Sequence, residues 1–91
     1  TAAVKVGEAR AVAMLAAQIH GIPVFEYAPA RIKQSVSGNG RASKDQIQFM
    51  VRHILNFRGR LSSDSADAAA VALCHFHSQK FGRLRNQLAH V

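Results

Sequence analysis

Acidic residues are scarce in this chain. Five Asp and Glu stand against twelve Lys and Arg, a net charge of +7 over 91 residues. With a pI near 10.9, the expected partner is polyanionic. A membrane-surface binder would gather its cations on one strongly amphipathic helix. Here they are spread over several segments, so nucleic acid is expected ahead of a membrane. One cysteine, Cys74, excludes an internal disulfide and suits a reducing cytoplasm. Its place in Val71-Ala72-Leu73-Cys74 reads as a small buried hydrophobe. No apolar run has the length of a bilayer span, and the N-terminus lacks the parts of a signal peptide. A cytoplasmic location with no membrane partner is expected. Ser37-Gly38-Asn39-Gly40-Arg41 does not have the spacing of a nucleotide-binding phosphate loop. The length fits one small domain. The chain starts at Thr1, without an initiator methionine and inside a helical pattern, which suggests a fragment.

What is present reads mostly as helix. Residues 2–20, with Val4, Ala11, Met14, Leu15 and Ala16 among further alanines and Lys5, Glu8 and Arg10 on a polar side, predict a first helix ended by Gly21. Its alanines suggest close packing, with Gly7 allowing a near approach. Residues 22–28 alternate well enough for one strand, Pro23 at its start or edge. Pro29 opens a short helical turn that stops at Gly38-Asn39-Gly40. Ser43-Lys44-Asp45-Gln46 is a capping box. The helix it starts is expected to reach about residue 57, with Ile47, Met50, Val51, Ile54 and Leu55 on one face. After Arg58-Gly59-Arg60, a last helix is expected from Asp64 to about residue 80. A basic, less regular tail over residues 81–91, with Arg83, Arg85 and His90, is expected to be frayed or ordered by a partner.

The chemistry centres on Ser62-Ser63-Asp64-Ser65-Ala66-Asp67-Ala68-Ala69-Ala70. Ser63 is the expected N-cap, which puts Asp64 and Asp67 at the first and fourth positions of the helix, on one face. Acids there complement the helix dipole and need no ligand. They can equally help hold Mg²⁺, a hard cation that takes carboxylate oxygens and keeps waters. The residues alone leave both readings open. Cys74-His75-Phe76-His77 invites a zinc reading, but histidines two apart on a helix point to different sides, and a half-buried helix is the better account. Lys33 and Lys44 flank the glycine loop with Arg31 and Arg41 nearby. These cations are either ordinary solvated charge or a loop that contacts phosphates.

Taken together, Pro23-Val24-Phe25-Glu26-Tyr27-Ala28, Ile32-Lys33-Gln34-Ser35-Val36-Ser37-Gly38, Lys44-Asp45-Gln46-Ile47-Gln48-Phe49-Met50-Val51 and Asp64-Ser65-Ala66-Asp67-Ala68-Ala69-Ala70, in that order, closely resemble the bacterial Holliday junction resolvase family RuvC. The resemblance runs from about Val4 to His77. It implies an α/β, ribonuclease H-like fold, of which this chain is the helix-rich later half with one clear strand over residues 1–80. It also implies a homodimer, a link to a branch-migration helicase complex, and Mg²⁺-dependent nicking of four-way junction DNA. By position, Asp64 and Asp67 resemble the family's two late metal-binding carboxylates, and Lys33 and Lys44 its basic residues near the scissile phosphate. DNA contacts are expected from Arg31, Lys33, Arg41 and Lys44. Two further acids of the family's site would lie upstream of Thr1, so the chain alone is expected to be inactive. Two other readings stand beside this one. A non-catalytic basic module could bind nucleic acid or dimerise. A helix-turn-helix protein would set two acids against the DNA groove and ranks last.

Overall fold

The computed structural model describes residues 2–89. Four helices make up its regular structure, namely α1 (Ala2–Ile19), α2 (Pro29–Ser37), α3 (Lys44–Ile54) and α4 (Ser63–Ala89). The capping box at α3 forms as expected. Ser43 Oγ accepts from the Gln46 amide at 3.2 Å, and Gln46 Oε1 accepts from the Ser43 amide at 2.8 Å. Asp45 in the first turn and Arg52 with His53 in the last suit the helix dipole. α3 stops at Ile54, short of residue 57. Asn56 adopts a left-handed φ of 52°, and the Phe57 amide turns back to the Arg52 carbonyl at 2.9 Å, a closure that uses up the last carbonyls. Gly21, at φ 66°, ends α1 in the same way, the Ile22 amide reaching the Ala17 carbonyl at 2.8 Å.

α4 departs from expectation at both ends. Its N-cap is Ser62 rather than Ser63, because Ser62 Oγ accepts from the Ser65 amide at 3.2 Å and the Ser62 carbonyl accepts from Ala66 at 2.9 Å. Adjacent serines cap equally well, and here the first one does. Asp64 and Asp67 therefore sit at the second and fifth helical positions. At the other end the helix continues to Ala89. Residues 81–89 are helical because Leu, Arg, Gln and Ala are good helix formers and only Gly82 weakens the run; His90 lies outside the described residues.

The expected strand does not form. Residues 22–28 carry no regular structure, and there is no strand among the described residues. A strand needs a neighbour to take its amides and carbonyls, and none is present beside this segment.

The core lies where α2, α3 and α4 meet. Val36, Ala42, Ile47, Val51 and Ala70 are buried together, with Ile32, Met50, Leu61 and Leu73 packed around them. α4 presents Ala66, Ala70 and Cys74, all buried. These small side chains bring α2 and α3 close to its axis. α1 packs on none of the other described helices. It is tied to the chain that follows by the Arg10–Glu26 ion pair and by a shallow groove in which Ala11, Met14 and Leu15 meet Ile22 and Val24. Nothing described lies within 4 Å of where a Gly7 Cβ would stand, so the near approach expected there is not seen among the described residues. Gly40 is closely approached by backbone, its Cβ position 3.3 Å from the Ala30 carbonyl oxygen.

Candidate functional site

The candidate site forms at the head of α4, where each neighbouring helix contributes a cation. Pro29 sits at the start of α2, and Lys33 follows one turn on, half-buried. The capping box makes Lys44 the first residue of α3. Lys33, Lys44 and Asp67, with Ile32, Ile47 and Val71, line one groove of about 420 Å³. Lys44 Nζ lies 3.9 Å from Asp67 Oδ2, with the two side chains 62% and 59% exposed. So long and so wet a pair is worth less than about 1 kcal/mol. A lysine at the first position of a helix also opposes the dipole. Helix stability therefore does not explain Lys44, and neither does the ion pair. Asp64 is exposed one turn before Asp67 and makes no ion pair among the described residues. No group of three or more His, Cys, Asp or Glu able to hold a metal ion is found among the described residues.

The two arginines stand apart from this groove. Arg31 lies over the Tyr27 ring, 5.3 Å from its centroid, and donates to Ser78 Oγ at 3.2 Å. It is thus directed toward the middle of α4. Arg41 is exposed in the α2–α3 loop. That loop is not an open cradle of amides. The Asn39 amide donates to Ser37 Oγ at 3.2 Å and the Arg41 amide to Asn39 Oδ1 at 2.9 Å. Lysine side chains, rather than loop amides, are what this region offers a phosphate.

The family model for "Crossover junction endodeoxyribonuclease RuvC" matches residues 1–75. This chain belongs to the RuvC family. The RuvC of Halorhodospira halophila is 53% identical over 75 residues, which are 82% of this chain and 45% of that protein. That of Dehalococcoides mccartyi is 56% identical over 79 residues, 86% of this chain and 47% of its own length. The Thermus thermophilus RuvC structure superposes with a TM-score of 0.78 at 40% identity, over 88% of this chain and 49% of that one. The chain spans about half the length of the curated relatives it matches. The likeness to the Thermus structure supports the ribonuclease H-like architecture, whereas the single strand expected with it is absent from the described residues.

Links that no local motif marks fix α4 to its surroundings, and they use the two histidines that spacing excludes from a shared metal site. Tyr27 Oη and His75 Nδ1 are 2.7 Å apart, and the Phe25 ring leans on His75 with centroids 4.7 Å apart. Ser35 Oγ and His77 Nδ1 are 2.8 Å apart. The two histidines take different partners, as their spacing implied, and Cys74 just before them is buried. These links join residues more than forty positions apart, and nothing in the local sequence marks them.

Proposed function

We propose that this chain supplies the late metal-binding carboxylates and the phosphate-facing lysines of a crossover junction endodeoxyribonuclease, which hydrolyses phosphodiester bonds at four-way DNA junctions in recombination and repair. The reading is carried by one observation, the convergence of Lys33, Lys44 and Asp67 on a groove at the head of α4, inside the stretch matched by the RuvC family model.

Asp64 and Asp67 are the residues that would hold the metal. Both are exposed carboxylates, hard oxygen donors that fit Mg²⁺ better than a thiolate- or imidazole-loving ion. With no third acid beside them among the described residues, they leave the remaining coordination positions to water and to groups outside these helices. When bound, divalent cations lower the pKa of the attacking water and offset charge on the leaving 3′ oxygen. The weak hold of Lys44 on Asp67 leaves its ammonium free to exchange the carboxylate for a phosphate oxygen. Lys33 enters the same groove from α2. Two positioned cations there offset the charge that builds on the non-bridging oxygens as water adds and the P–O3′ bond breaks. Arg41 extends the positive surface toward the DNA backbone, and Arg31 contributes from a guanidinium already engaged by Tyr27 and Ser78. We further infer, from the family resemblance, a homodimer that acts on the two paired strands together with a branch-migration helicase in the cytoplasm. No described helix is long and apolar enough to cross a membrane.

The test joins this chain to the upstream half of the Halorhodospira halophila RuvC and measures cleavage of a four-way junction in Mg²⁺. Asp64→Asn and Asp67→Asn are each expected to slow cleavage by more than about 100-fold. Lys44→Ala should slow it by about 10²-fold while junction binding changes little. Full-rate cutting by Asp64→Asn would remove the metal role given to that residue.

A further inference from the structure

The contacts of α4 with the rest of the fold reach Ser78, which accepts from Arg31, yet the helix runs on to Ala89. One line of residues continues along it. Ala70, Cys74, His77, Phe81, Leu84 and Leu88 follow one another at alternating steps of four and three, the repeat of a helix that lies along another helix. The first part of this seam is covered. Ala70 and Cys74 are buried, and His77 is hydrogen-bonded to Ser35 of α2. The second part is open, with Phe81, Leu84 and Leu88 exposed by 64%, 45% and 74%. Beside it Phe76, Lys80, Arg83 and Leu84 border a notch of about 270 Å³, large enough to take a side chain.

The charge beside the open seam narrows what can cover it. No Asp or Glu follows Asp67 in the sequence. Lys80 and Arg85 occupy the two positions that flank an a/d seam, where partner helices place their charges. A second copy of the ridge would bring cation against cation. Nucleic acid would satisfy the cations but leave Phe81, Leu84 and Leu88 in water. A membrane-binding helix needs a broad apolar face, whereas this one is a single narrow line with Gln79, Asn86 and Gln87 around it. A helix with an apolar seam and acidic flanks meets both demands at once.

We propose that residues 80–88 of α4 are a docking ridge for an acidic amphipathic helix of a partner protein. The ridge lies beyond the stretch that the family model matches, which stops at residue 75, and it makes no use of the carboxylates at the head of the helix.

The probe is a three-heptad peptide with leucine at a and d and glutamate at e and g, titrated calorimetrically into the full chain. Saturable binding is expected, weakened at least about tenfold by Leu84→Ser with Leu88→Ser and, independently, by Lys80→Glu with Arg85→Glu. The same peptide with lysine at e and g should not bind. The variants should melt with the parent, since the four side chains are exposed among the described residues. Absence of binding by the glutamate peptide, or equal binding by the serine variant, overturns the proposal. So does a loss, on the serine substitutions, of self-association or of binding to phosphatidylserine vesicles or junction DNA, when the peptide itself fails to bind.

Discussion

α1 and α3 are both rich in apolar residues, and they behave in opposite ways. α3 gathers Ile47, Met50 and Val51 on one side and buries that side against α2 and α4. α1 carries Val6, Val12, Met14 and Leu15 around its circumference and buries none of its residues. Apolar content alone therefore does not decide what packs in this fold. A one-sided stripe finds its cover within the three-helix body, while a helix apolar all round needs neighbours on more than one side. Residues 22–28 stand between the two, since their alternation calls for a sheet, yet Phe25 and Tyr27 meet His75 of α4; α1 is the element whose apolar sides find no cover in α2–α4 among the described residues.

The sharpest break of that comparison comes from one charge placed in each region. Val51 is fully buried, and Val51→Asp is expected to cost on the order of 4 kcal/mol or more, enough to abolish cooperative melting of a domain this small. Val12→Asp on α1 should stay within about 0.5 kcal/mol in the same melt. If the two substitutions had equal effects, the division between body and α1 would be lost. A smaller effect tests how α3 is started. Ser43→Ala removes one half of the capping box and should lower stability by about 1 kcal/mol, seen as a lower denaturant midpoint at unchanged slope. The smallest is expected at the tether of α1, where Arg10→Ala breaks an exposed ion pair with Glu26 and should cost less than about 0.5 kcal/mol. A larger loss there would show α1 to be coupled to the body after all.

Local signals were legible in the sequence where one element carries the whole cause. The Ser43–Gln46 box, the glycine stop after α1 and the Ile47, Met50 and Val51 part of the α3 face each depend on residues within a turn or two of one another, whereas Ile54 and Leu55, expected on that face, are exposed where the helix ends. The α4 cap falls one residue before the expected one because Ser62 and Ser63 offer the same chemistry and only the backbone chooses between them. The tail after residue 80 has a charge that suggests solvation, but its intrinsic propensity is helical. At the candidate site, the meeting of Lys33, Lys44 and Asp67 came from the family resemblance, since no spacing rule links positions on three different helices. Sequence proximity groups Arg31 with those lysines, yet its place on α2 turns it toward Tyr27 and Ser78. The alternation in residues 22–28 was a fair signal for a strand, but strand formation is decided by a partner that local sequence does not contain.

α4 joins the acids and the ridge in one uninterrupted rod. Asp64 and Leu88 lie on the same helix, and at the rise of an α-helix they are about 36 Å apart along its axis. That span is close to one turn of B-form DNA, about 34–36 Å. The helix is thus a ruler, and whatever is held at its far end stands about one duplex turn from the carboxylates at its head.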